Sequence, residues 1–343
     1  MRTPRLWEGV AIRSLLIGAA LLPMAAASTA ATVRPAPIID MHFHALTADW
    51  NGPPGGYICA PFDEWAIRDT AKPITAFLHD FTGDPKCKRR FKSPQTDAEL
   101  RDQSLAVLKR RNVLAVTSGP ADRVEDFREH APDRIIPGIM FGFGNLPTIA
   151  QLRQLHAEGR LQVLGELVFQ YSGVAPDDPQ IEPYYALAEE LDIPVAIHVG
   201  PGPPGAPYYL SAKYRMRLSD PLALEDVLVR HPKLRIDVMH AGWPMADRMI
   251  ALMYAHPQVY VDTGIIDYAF PRAEFHAYLK RLVDAGFEKR IMFGSDQMNW
   301  PQAVDVAIEG ITSATFLTPQ QKRDILYNNA SRFLRLKANG KLQ

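Results

Sequence analysis

From residue 96 onward the chain alternates between two hydrophobic rhythms. Short apolar runs dense in Val, Ile, Leu and Met, at 112–117, 134–141, 162–169, 194–199, 234–240, 259–263 and 290–293, read as strands. Between them, apolar residues recur at helical spacing over 96–111, 122–130, 147–158, 179–191, 221–230, 244–255 and 272–285. In the first of these helices Leu100, Leu105 and Leu108 form the inward stripe. An earlier apolar run at 38–45 supplies an eighth strand, and helical stretches at 302–312 and 319–328 finish the pattern. Strands that are apolar along their whole length and alternate with amphipathic helices predict a parallel sheet whose outer face is covered. Eight such units suit an α/β fold closed into a (β/α)8 TIM barrel, with a long insertion after strand one and extra C-terminal helices.

Residues 46–95 break the rhythm. They are rich in Gly, Pro and aromatics, show one short helical stretch near 63–69, and are long enough for a lid-like insertion. Many of the 29 prolines sit in loops such as 51–56 and 201–205, where they stiffen connections. The two cysteines, Cys59 and Cys87, both fall in the insertion, and a disulfide between them is the expectation in an oxidising compartment. Closing a loop of that length would stabilise the fold by about 3 kcal/mol. The first residues have a different character: Arg2, Arg5 and Arg13 precede an apolar run over 15–27, followed by small residues. That pattern predicts a signal peptide over 1–27, with cleavage after Ala27 or Ala30, and so a periplasmic or secreted protein with no stable membrane anchor. The apolar run is too short for a membrane span of about 20 residues. The expected organisation is therefore signal peptide 1–27, linker 28–37, a single barrel domain 38–336 and a tail 337–343.

Composition narrows the partners. The chain has 343 residues, 47% of them apolar, enough for one large core. Lys and Arg number 38 against 38 Asp and Glu, with no run of like charges, so a nucleic-acid footprint is not expected. The expected partner is a small-molecule substrate, and a homodimer is an allowed assembly.

The polar residues inside the strand pattern carry the chemistry. In a barrel of this kind reacting groups gather at the C-terminal ends of the strands. Strand one ends in His42 and His44, which share a face because side chains alternate along a strand. Strand four carries Glu166, strand five ends in His198, strand six in His240, and strand eight runs into Asp296. Each has an ordinary reading by itself: a hydrogen-bonded core histidine, a carboxylate paired with an arginine, a helix cap at Asp296. A buried charged or imidazole group costs several kcal/mol unless it is paired or bound to a metal. Repetition of that cost at five strand ends favours a shared metal site, since the remaining histidines fall in helices and loops.

These residues, in this order, resemble the amidohydrolase superfamily. The runs Ile38-Ile39-Asp40-Met41-His42-Phe43-His44, His240-Ala241-Gly242-Trp243-Pro244, Phe293-Gly294-Ser295-Asp296 and Asn328-Asn329-Ala330-Ser331-Arg332-Phe333-Leu334 resemble its amidohydrolase-2 branch, which includes the aminocarboxymuconate semialdehyde decarboxylase type. The resemblance implies that His42, His44, His198 and Asp296 hold a divalent metal, zinc or alternatively manganese, with an open position for water. It implies further that Asp296 accepts a proton and that His240 polarises a carbonyl or protonates a leaving group. Glu166 stays in the site as a bridge between two ions, a group that orients a ligand, or a substrate contact, so one ion and two ions are both open. Tyr171, Arg215, Arg217, Trp243 and Trp300 are candidate substrate contacts, together with Trp50, Tyr57 and Trp65 of the insertion. The function expected is an exported metal-dependent hydrolase of an ester, lactone or amide, with a non-oxidative decarboxylase as the alternative. A barrel that binds metal or ligand without turnover is the third reading.

Overall fold

The computed structural model describes residues 35–337. The expected signal peptide, most of the linker and nearly all of the tail lie outside the described residues. In chain order the strands are β1 (Ile38–His44), β2 (Tyr57–Cys59), β3 (Arg90–Lys92), β4 (Val113–Ser118), β5 (Ile135–Phe141), β6 (Val163–Leu167), β7 (Val195–His198), β8 (Ile236–Met239), β9 (Val259–Asp262) and β10 (Ile291–Met292). β1 and β4 to β10 form one eight-stranded sheet in sequential order, with every pairing parallel. The ring comes together between its first and last strands: the Met41 amide donates to the Phe293 carbonyl at 2.9 Å and the Asp296 amide to the His42 carbonyl at 2.6 Å. The fold is the expected TIM barrel, with helices between the strands.

Local sequence places the helices for readable reasons. Asp97–Arg111 starts where Thr96 accepts a hydrogen bond from the Glu99 amide, carries acids in its first turn and Lys109, Arg110 and Arg111 in its last, and stops at Asn112 in the left-handed conformation. Two β-bulges then decide what faces the barrel axis. On β1, Asp40 pairs with Ala115 and Phe43 with Thr117, so three steps on one strand match two on the other. That extra residue lets Ile39 and Met41 pack in the barrel floor while His42 and His44, of opposite parity, face the mouth. On β6, Leu164 and Gly165 both oppose Ile139, and Glu166 is turned toward the histidines. The floor is sealed from below by Ala330, Phe333 and Leu334 of the C-terminal segment, packed on Val116, Val163 and Met239.

The insertion is ordered by long-range contacts. β2 and β3 pair antiparallel, and Cys59 and Cys87 form a disulfide. No helix forms at 63–69, contrary to the sequence expectation, because Trp65 is held in a ring stack with Phe62 and against Phe270. The helix falls instead at Ile74–Leu78, where Pro73 sets its start, and continues as a π-helix over His79–Gly83. Phe77, Phe81, Phe62, Trp65, Phe270 and Trp243 form a continuous series of ring contacts with centroids 4.6 to 5.9 Å apart. The insertion is thereby fixed to the loops that follow β8 and β9. Among the described residues no helix is long and apolar enough to cross a membrane.

Candidate metal centre

The strand ends deliver their polar groups to one point. His42 is fully buried, and its Nδ1 lies 3.2 Å from Asp262 Oδ2, which leaves Nε2 aimed at the barrel mouth. Asp296 Oδ1 stands 2.9 Å from His44 Nε2 and 3.7 Å from His42 Nε2. Glu166 Oε2 stands 3.5 Å from His44 Nε2 and 3.7 Å from His42 Nε2. Donors that each sit about 2.0–2.2 Å from one ion are roughly 3–3.7 Å apart, so each acid has the spacing of a ligand shared with the two imidazoles, and His42, His44 and Asp296 converge as one group. Further evidence of fit comes from His42 Nε2, a buried nitrogen with no hydrogen-bond partner, since buried polar atoms are otherwise almost always satisfied.

Charge tells the same story. Burial opposes a proton on His42, yet the charges of Asp296, Asp262 and Glu166 hold its pKa well above the ordinary histidine value. Burial would raise Glu166, but the positive His42, with hydrogen bonds from His198 and His240, holds it well below the usual carboxylate range. The cluster of acids thus calls for a cation at its centre, and a divalent ion answers that demand with two charges.

His240 and His198 occupy the next position outward. His198 Nδ1 lies 2.8 Å from Glu166 Oε1 and 2.9 Å from His240 Nε2, while His240 Nδ1 donates to the Gly264 carbonyl at 3.0 Å. Taking the proton of His198 on Nδ1 makes every one of these contacts a donor–acceptor pair and leaves its Nε2 as a lone pair without a partner. His198 therefore stands beside Glu166 and is not among the atoms that converge with His42 and His44, whereas His240 and Glu166 make a second converging group with His42. The reason is that Glu166 faces both ways, Oε2 toward the pair on β1 and Oε1 toward His198. Burial and the neighbouring His240 keep His198 below its usual pKa, and Glu166 raises His240 against the effect of burial.

Backbone conformation supports this crowding. His240, Ala241, Ile265, Asp296 and Met298 all have positive φ, and all lie just past the ends of β8, β9 and β10. Such conformations cost about 1–3 kcal/mol each in non-glycine residues and persist where the surroundings fix them. Gly264 and Gly294 make the close approach possible: a Cβ on Gly264 would meet His42 Nδ1 at 2.5 Å, and one on Gly294 would meet His42 Cβ at 2.7 Å.

Above the cluster opens a cavity of about 1170 Å³. His44, Glu166, His198, His240 and Asp296 form part of its lining, and Tyr171, Trp243, Trp300, Trp50 and Trp65 contribute to its walls. Arg215 and Arg217 do not line it. Both are exposed, and the Arg215 guanidinium donates to the carbonyls of Ala212 and Tyr214 at 2.8 and 2.7 Å. Sequence reasoning passed over Asp262, which orients His42 and also accepts from the Gly264 amide at 2.7 Å. Its signal was present, since Val261-Asp262-Thr263-Gly264 ends strand seven in a carboxylate just as strand eight leads into one.

A barrel that gathers imidazoles and carboxylates at its strand ends under a deep cavity has the layout of a metal-dependent TIM-barrel enzyme. The amidohydrolase family model, amidohydrolase-2 type, matches residues 39–336, and the chain belongs to that family. It is accordingly a metal-dependent enzyme of the amidohydrolase type. No curated protein matches the sequence. Among solved structures, a TIM-barrel protein of Bordetella bronchiseptica is 18% identical with a TM-score of 0.58, covering 88% of this chain and 99% of its own. A probable 2-pyrone-4,6-dicarboxylic acid hydrolase of Acinetobacter baumannii is 15% identical with a TM-score of 0.54, covering 87% and 99%. A 5-carboxyvanillate decarboxylase of Novosphingobium aromaticivorans, complexed with manganese and 4-hydroxy-3-methoxy-5-nitrobenzoic acid, is 14% identical with a TM-score of 0.53, covering 89% and 97%. At these identities the likeness is one of fold.

Proposed function

We propose that this chain hydrolyses an ester, lactone or amide at a single divalent ion held by His42, His44, Glu166 and Asp296. The observation that carries the reading is the approach of both Asp296 Oδ1 and Glu166 Oε2 to His42 Nε2 and His44 Nε2 beneath a cavity large enough for a substrate. His42 has committed Nδ1 to Asp262, so its single remaining lone pair serves one metal, and one ion is the number proposed. Zinc suits a set of two imidazoles and two carboxylates, and manganese, present in the decarboxylase of similar fold, is the alternative.

A bound divalent ion supplies Lewis acidity and a water of lowered pKa. The remaining work belongs to the side chains. Asp296 holds Oδ1 in the ligand set and keeps Oδ2 to take the proton of the attacking water. His240, fixed through Nδ1 by the Gly264 carbonyl and raised in pKa by Glu166, donates a proton from Nε2 to the leaving group when it is in its imidazolium form. Glu166 keeps one oxygen in the ligand set and with the other orients His198.

The barrel is shared by hydrolases and decarboxylases, so the product decides between them. Acid release in a pH-stat from neutral esters and lactones, abolished by chelation and restored by zinc or manganese, is the expected result. Carbon dioxide release from aromatic acids, without acid release from any ester, would replace hydrolysis by decarboxylation. We also propose that the protein is exported with residues 1–27 removed, a reading supported by the disulfide in the insertion, because such bonds persist in oxidising compartments. N-terminal sequencing of the exported protein tests it, and a mature chain still beginning at Met1 would refute it.

A further inference from the structure

We infer that the substrate is an uncharged, bulky, aromatic or otherwise apolar molecule whose body lies against the insertion. The inference rests on the hydrolytic reading of the metal centre and specifies what that centre acts on. The charged groups that line the cavity, Glu166 and Asp296, are acids at its base, and no lysine or arginine lines it among the described residues. The rest of the wall is apolar or neutral, led by Ile58, Phe62, Phe81, Tyr209, Trp243 and Phe270. A substrate carboxylate standing clear of the ion would lose its hydration without gaining a partner, and an unpaired buried charge is strongly disfavoured. A ring or alkyl group there gains burial over its whole surface.

Size and the cavity mouth point the same way. At about 1170 Å³ the cavity exceeds the 300–1,000 Å³ usual for small-molecule sites, which fits a molecule of several rings or a long chain. Trp50, Trp65 and Leu210 line it and still show 48%, 37% and 52% of their surface to solvent. Large apolar groups clustered at an opening mark a surface that an apolar ligand covers. The wall is also preformed: Phe62 and Trp65 are stacked at 5.2 Å, Trp65 meets Phe270 at 5.0 Å, and Trp300 donates from Nε1 to the Gly56 carbonyl at 3.0 Å.

The test compares methyl 2-naphthoate with the 2-naphthoate anion at pH 8, with binding read by calorimetry on the chelator-treated protein and turnover read on the zinc-loaded protein. The expected result is at least tenfold tighter binding of the ester to the metal-free protein. Trp65→Ala is expected to weaken ester binding about tenfold, with Trp65→Phe restoring most of it. Equal or tighter binding of the anion, or no binding of the ester, would overturn the inference. Preferred binding of the ester without acid release would uphold the substrate class and defeat the hydrolytic reading. Faster hydrolysis of the monomethyl ester of naphthalene-2,6-dicarboxylate than of methyl 2-naphthoate would do the reverse.

Discussion

Asp262 is the residue on which the geometry of the metal centre turns. It is fully buried, accepts the Gly264 amide at 2.7 Å and the His240 amide at 3.2 Å, and fixes the His42 ring through Nδ1. A carboxylate behind a ligating histidine sets its tautomer and raises its basicity, and loss of such a partner typically weakens metal binding by about 10–100-fold. Asp262→Asn should therefore lower zinc affinity by that factor, measured by competition with a chromophoric chelator, while the circular dichroism stays unchanged. Asp40 makes a different prediction. Burial pushes its pKa up to about 7 from 3.8, against the hydrogen bonds it accepts from Ser295 and His42. A carboxyl raised in the folded state contributes stability that is complete below about pH 4 and lost as pH rises through about 7. In the metal-free protein, Asp40→Asn should remove this contribution, so the stability of wild type relative to the variant should fall by a few kcal/mol between pH 4 and 8. Denaturant titrations at the two pH values check the sign. Histidines and acids at strand ends were legible in the sequence because burial of such groups is rare and needs a cause. The separation of His198 from the converging set was not, because it depends on which way each Glu166 oxygen points.

The strands were legible for a related reason: barrel strands are buried on both faces, so they read as unbroken apolar runs. The bulge in β1 was not, because register is a property of two strands and Ile39, Met41, His42 and His44 look like simple alternation in one. It matters for function, since without it the histidines and the floor residues would face opposite sides. The insertion was legible only as an exception to the pattern. Its order comes from the bond between Cys59 and Cys87, which are 28 residues apart, and from the aromatic series that runs from Phe77 to Trp243. Replacing both cysteines by serine should lower stability by about 3 kcal/mol. Because Ile58 and Phe62, close to Cys59, line the cavity, KM should rise while kcat changes little. Denaturation and steady-state kinetics on the double variant separate these effects. An unchanged KM would show that the insertion holds its shape without the bond.

At the scale of the whole molecule, the barrel divides its two ends between stability and chemistry. The floor is an apolar layer of Ile39, Met41, Val116, Ile136 and Met239, closed by the C-terminal Phe333. Phe333→Ala should cost about 3–5 kcal/mol through the cavity it leaves, without altering metal affinity. The mouth carries the strained backbone, the orphaned nitrogens of His42, His44 and His198, and the converging acids. In the function proposed, His42, His44, Glu166 and Asp296 together hold one ion. Elemental analysis of the purified wild type beside folded His44→Ala and Asp296→Asn variants tests this directly. We predict about one divalent transition metal per wild-type chain and less than a tenth of that in each variant. Equal metal content in the variants, or a wild type that binds neither zinc nor manganese after incubation, would contradict the account.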